Sequence, residues 1–133
     1  MMSIFGWDKR KKARINPDAP VVFTVRSGKD PKHVSSAVTG TIKDISAKGM
    51  SVVTPRIVND GIHIKYDTLM VHRNSIDATI FPEESPPIRV VGAVVWFRSA
   101  DDKQGNFIFG MKFDKEAAVE TLFLPNKNLS SNR

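Results

Sequence analysis

The feature that most constrains the fold is a series of short β-rich runs, several alternating with a period of two, separated by glycine, proline and small polar residues. They are "VVFTVR" at 21–26, "AVTGTIKDIS" at 37–46, "MSVVT" at 50–54, "IHIKY" at 62–66, "SIDATIF" at 75–81, "IRVVGAVVWFR" at 88–98 and "FIFGMKF" at 107–113. Successive side chains on a strand face opposite ways, so such runs read as strands half-buried against one core. In the last of them Phe107, Phe109, Met111 and Phe113 alternate with Ile108, Gly110 and Lys112. These phenylalanines and Trp96 are expected in the core, because aromatic side chains dominate core burial. Gly92 is expected to mark a bend or bulge in a long strand. Six or so strands at hairpin spacing predict a small antiparallel barrel, since closure removes exposed edges. After them Asp114 is a candidate N-cap, Glu116 suits a first helical turn, and Val119, Leu122 and Phe123 form one apolar stripe ended by Pro125, which predicts a C-terminal α-helix. The expected class is all-β with that one helix.

At 133 residues the chain is expected to form one domain. Asn16, Pro17 and Pro20 separate an N-terminal arm, residues 1–20, from a body at 21–125, and a tail follows at 126–133. Of the net charge of +6, four charges come from residues 1–14, where Lys9, Arg10, Lys11, Lys12 and Arg14 face Asp8 alone. A basic arm on a nearly neutral body points to an anionic partner met by the arm, or to a solvated tail. The absence of cysteine excludes disulfides and thiolate chemistry. No apolar run approaches a membrane span, and "MMSIFGWDKRKK" lacks the basic-then-apolar order of a secretory signal. A cytoplasmic location is expected.

Strict alternation through 38–46 puts Val38, Gly40, Ile42, Asp44 and Ser46 on one face, and Thr39, Thr41, Lys43 and Ile45 on the other. Gly49 is expected to supply a positive φ at the hairpin connection. Asp44 and Ser46 beside that turn admit two readings. They can hydrogen-bond nearby backbone N–H groups, or they can present a carboxylate and a hydroxyl to a ligand at the strand end.

Arg10 and Arg14, four apart, followed by Asp44, Ser46 and Gly49 in the spacing D-x-S-x-x-G, resemble the PilZ family of bacterial second-messenger receptors. The later "VVGAVVWFR" and "GNFIFGMKF" runs and the terminal helix are similar to PilZ sequences in the same order. The resemblance implies a six-stranded antiparallel PilZ-type β-barrel with a C-terminal α-helix. It also implies that the chain binds cyclic di-GMP, with no other cofactor and no metal, the arginine arm wrapping over the ligand on the barrel surface. The nucleotide-binding residues it implies are Arg10, Arg14, Asp44, Ser46 and Gly49, with Lys9 as an additional cation that favours a stacked pair of ligands. Against the family pattern, the stretch from 56 to 81 is long and polar, which points to an extra hairpin or an altered loop there.

The chemistry suits these residue types. Cyclic di-GMP carries two phosphodiester charges and two guanines, and an arginine fork can pair with phosphate or with guanine O6 and N7. A carboxylate such as Asp44 can accept from guanine N1–H and N2–H2, and Ser46 adds a hydroxyl. The expected function is a non-enzymatic receptor that orders its arm on the ligand and signals to a protein effector. Two alternatives are a small basic barrel that binds a nucleic-acid polymer and a PilZ-like adaptor without ligand. The first is disfavoured because "GNFIFGMKF" lacks the basic-Gly-aromatic register of an RNA-binding strand. The second is disfavoured because all five motif residues are present. His33, His63 and His72 are not at metal-ligand spacings, and no catalytic motif is present.

Overall fold

A computed structural model describes residues 13–15, 18–67, 72–117 and 119–120. Its strands are β1 (Ala13–Arg14), β2 (Pro20–Arg26), β3 (Val38–Ile45), β4 (Gly49–Thr54), β5 (Val58–Asn59), β6 (Ile62–His63), β7 (Ser75–Ile80), β8 (Ile88–Ser99), β9 (Phe107–Phe113) and β10 (Val119–Glu120). Six of them close an antiparallel barrel in the order β2-β3-β4-β9-β8-β7.

The alternation read from the sequence fills this barrel. Val21, Phe23 and Val25 on β2 point inward with Ile76, Ala78 and Ile80 on β7, while the residues between them are partly open to solvent. At the centre the rings of Phe23 and Phe109 meet edge to face at 5.4 Å, a geometry that adds about 0.5–1.5 kcal/mol to their burial. Phe109 and Phe113 are buried as expected, and Phe107 is half-buried.

Two β-bulges interrupt the alternation. The β3–β4 register shifts between Ile42 and Asp44, and the β8–β9 register shifts between Val94 and Trp96. Each inserts one residue, Lys43 or Val95, which reverses the facing of everything beyond it. Ile45 therefore joins Val38 and Ile42 in the core, while Asp44 points outward. Trp96, expected inside, is turned out and is 41 % exposed. Gly92 pairs in register with Ile76 and Phe113, so the irregularity lies beyond it, at Val95.

The long polar stretch does contain an extra hairpin, β5–β6. Asp60 and Gly61 connect its strands with φ of 55° and 77°, the double positive φ that a tight two-residue connection needs. Asn59 Nδ2 donates to Ser36 O at 2.7 Å, and Asn74 Nδ2 donates to His63 O at 2.6 Å. So anchored, the hairpin and the residues after it bring Ile62 and Ile64 into the core cluster.

Beside the motif turn the first and last described strands come together. Ile15, Ala19 and Val119 are buried in the same cluster, and β1 runs parallel to β10. Residues 114–117 are not helical, and Val119–Glu120 is a strand. The backbone explains the departure from the expected helix: Phe113 N donates to Lys48 O and Ala117 N to Ala47 O, both at 2.8 Å. These bonds commit the segment to the neighbouring turn. The rest of the expected helix, residue 118 and residues 121–125, lies outside the described residues. Among the described residues no helix is long and apolar enough to cross a membrane.

Candidate functional site

The bulges on β3 and β8 flank the β4–β9 pair, and together the four strands build one outward-facing row. Asp44 pairs with Ser51, Ser51 with Gly110, and Gly110 with Trp96. With strands about 4.8 Å apart, the row runs roughly 14 Å across the sheet. The residues of the next rung, Ile45, Met50, Met111 and Val94, pair in the same order but point into the core. Gly110 makes the row a depression, and a cavity of about 380 Å³ opens over it, lined by Asp44, Ser46, Gly49, Ser51, Val95 and Trp96 among others.

Asp44 is exposed, and its Oδ2 accepts a hydrogen bond from Ser51 Oγ at 3.3 Å. That contact is with a side chain across the strand pair rather than with a turn N–H. Ser46 holds the turn itself: its N–H donates to Gly49 O at 2.8 Å, and its Oγ accepts from Lys48 N at 3.2 Å. For Gly49 the expected positive φ is not found; among the described glycines only Gly61 and Gly105 have one. Glycine is required at 49 for a different reason, because a Cβ would stand 2.4 Å from Met111 O on β9.

The structure therefore brings Asp44, Ser46 and Gly49 to one cavity. Lys9 and Arg10 lie outside the described residues. Arg14 enters through its backbone in β1, whose partner β10 begins two residues after Ala117, itself bonded to the motif turn. That chain of pairings brings the end of the arm to the end of the barrel that carries Ser46.

Sequence reasoning missed two members of this face. Alternation alone puts Trp96 in the core, because the extra residue at Val95 leaves no mark in the composition of the run. Its indole lies on Gly110, and the Arg98 guanidinium stands 5.8 Å from its ring centroid. Lys112, exposed on the outer face two residues beyond Gly110 and paired with Gly49, is the other. The alternation of "FIFGMKF" already put Gly110 and Lys112 on one face, and a glycine there was the available sign of a recess.

No group of His, Asp or Glu side chains able to hold a metal ion occurs among the described residues. The arrangement can accept hydrogen bonds at a carboxylate, offer a flat indole face and receive anions near lysine. A family model described as PilZ domain matches residues 8–123. No curated protein and no solved structure shows a match to the chain.

Proposed function

Since the chain belongs to the PilZ domain family, which it matches over residues 8–123, we propose that it is a cyclic di-GMP receptor that binds the messenger on the outer face around Asp44. The observation that carries this reading is the row Asp44, Ser51, Gly110 and Trp96, an acceptor and an aromatic plane on one open recess. Asp44 accepts from the N1–H and N2–H2 edge of one guanine, held in orientation by Ser51 Oγ. The Trp96 face stacks on a base, a contact that tolerates no gap and needs the recess over Gly110. Ser46 contributes its hydroxyl at the strand end.

Arg10 and Arg14 supply the phosphate and Hoogsteen-edge contacts from above, with Lys9 as a further cation. In this reading residues 1–20 form the arm, 21–125 the ligand-bearing body and 126–133 a tail, and Ile15 and Ala19 tether the arm to the barrel. Ordering the arm costs about 1–2 kcal/mol per residue, which the charge-assisted bonds must exceed. The arm then becomes the part that changes when ligand arrives, and a protein effector in the bacterial cytoplasm reads that change. The protein acts by binding, not by catalysis.

Calorimetric titration with cyclic di-GMP, with GTP and linear di-GMP as controls, tests the reading. Arg10→Ala, Arg14→Ala and Asp44→Ala are each expected to weaken binding by about tenfold or more, a loss of 1.4 kcal/mol or above. Thermal unfolding of the unliganded arginine variants should match that of the parent. Equal affinity in all three variants would reject the assigned roles, and no uptake by the parent would leave the ligand-free adaptor.

A further inference from the structure

A larger cavity, of about 690 Å³, shares no lining residue with the first and lies between the loop after β2, the β5–β6 hairpin and the end of β8 beyond its pairing with β7. Its size falls within the range of sites that hold one small ligand. Val58, Ile62, Tyr66 and Phe97 contribute its apolar wall, and Val58 and Phe97 remain 48 % and 39 % exposed. Covering them would remove apolar surface from water. His63 adds a third ring, edge-on to Phe97 with centroids 5.1 Å apart. Burial, and then the charge of Lys65, hold its imidazole below the ordinary histidine range, so it contributes a ring and no charge at neutral pH.

The charged groups on this wall are unbalanced. Lys29 and Lys65 line the cavity, whereas its one acid, Asp67, is turned to His72, whose Nδ1 lies 2.8 Å from its Oδ2. Lys65 Nζ sits 5.2 Å from the Tyr66 ring centroid and donates to Val95 O at 3.2 Å. An ammonium is thus held at the edge of an aromatic wall, with donors left for an anion.

We propose that this cavity binds a small planar aromatic carboxylate, its ring against Tyr66 and Phe97 and its carboxylate on Lys65 and Lys29. Aromatic surface selects a flat apolar body, and two ammonium groups select the negative end. Its lining residues are not those of the messenger face, and the proposal does not depend on what binds there.

The test titrates the full-length chain with 1-naphthoate, against neutral 1-naphthalenemethanol and cationic 1-naphthylmethylammonium. One-to-one saturable binding is expected, with the anion about tenfold tighter than the alcohol and the cation weakest. Lys65→Met should remove the preference for the anion over the alcohol while keeping affinity for the alcohol. Phe97→Ala should weaken both by about tenfold. Val58→Arg, at a more exposed rim position, should also block both, and it keeps the test decisive if Phe97→Ala does not fold. Asp44→Ala, on the other face, should change nothing. Non-saturable uptake, equal affinity for all three probes, or undiminished affinity in Val58→Arg would overturn the proposal.

Discussion

The indole of Trp96 lies across Gly110 of the adjacent strand, so closely that a Cβ on that glycine would stand 2.2 Å from its Nε1 and 2.3 Å from its Cε2. The glycine is therefore the seat of the ring. Gly110→Ala is expected to lift the indole off the sheet and to lower affinity for cyclic di-GMP by about tenfold, with Trp96→Ala doing the same. The chain has two tryptophans, Trp7 and Trp96. In a Trp7→Phe background the remaining emission should change on ligand addition in the parent and less in Gly110→Ala. An unchanged titration of Gly110→Ala would remove Trp96 from the site.

The bulge at Lys43 makes a sharp distinction between neighbours. Ile45 is 2 % exposed, whereas Lys43, the inserted residue, is exposed. Ile45→Ala should cost about 2–5 kcal/mol of stability, the usual range for emptying a buried aliphatic site. Lys43→Ala should stay within about 0.5 kcal/mol. Chemical denaturation of the two variants measures both, and equal losses would show that the two residues share a face after all.

Strict alternation put Lys43 and Ile45 together, and the reason it failed there also explains how much of the fold was legible. Val21, Phe23, Val25, Phe109 and Phe113 announced their faces because their strands keep one phase from end to end. A bulge changes the phase by one residue, and neither "TIKDIS" nor "VVWFR" contains a glycine or proline to mark it. Hence Asp44 and Trp96, the two ends of the outward row, needed coordinates to be placed opposite each other. The motif spacing did locate Asp44, Ser46 and Gly49 at one turn. It could not separate a residue that meets a ligand from one that holds the turn, because both uses employ the same hydroxyl and the same missing Cβ.

Gly49 offers a direct test of that separation. Its missing Cβ makes room for Met111 O, at 2.4 Å from where the atom would be. Gly49→Ala should therefore lower the stability of the unliganded protein by about 1–3 kcal/mol, as overpacking does. A glycine that only made room for ligand would give weaker binding with an unchanged unliganded melting temperature, and that outcome would restore the ligand role.

His63 should give the unliganded protein a mildly acid-sensitive step. Burial, followed by the charge of Lys65, lowers its pKa below the ordinary 6.5. In addition its Nδ1 accepts a hydrogen bond from Lys65 N at 3.0 Å, a role that protonation of that nitrogen would end. The unfolded chain then binds more protons than the folded one as pH falls below 6.5. By linkage, stability is complete above that pH and declines below it, through the lowered folded-state value. Two carboxylates with lowered values act in a lower window. Asp77, held low by its hydrogen bond to Arg89, and Asp60, held low by the Ser36 N–H, both have pKa values below the ordinary 3.8. Their contribution is present above 3.8 and is lost only as pH falls further. Melting temperatures followed downward from neutral pH should thus fall first in a window that His63→Phe flattens, and proton NMR of the imidazole should show its midpoint below 6.5. A slope unaltered by His63→Phe would assign the step to another group.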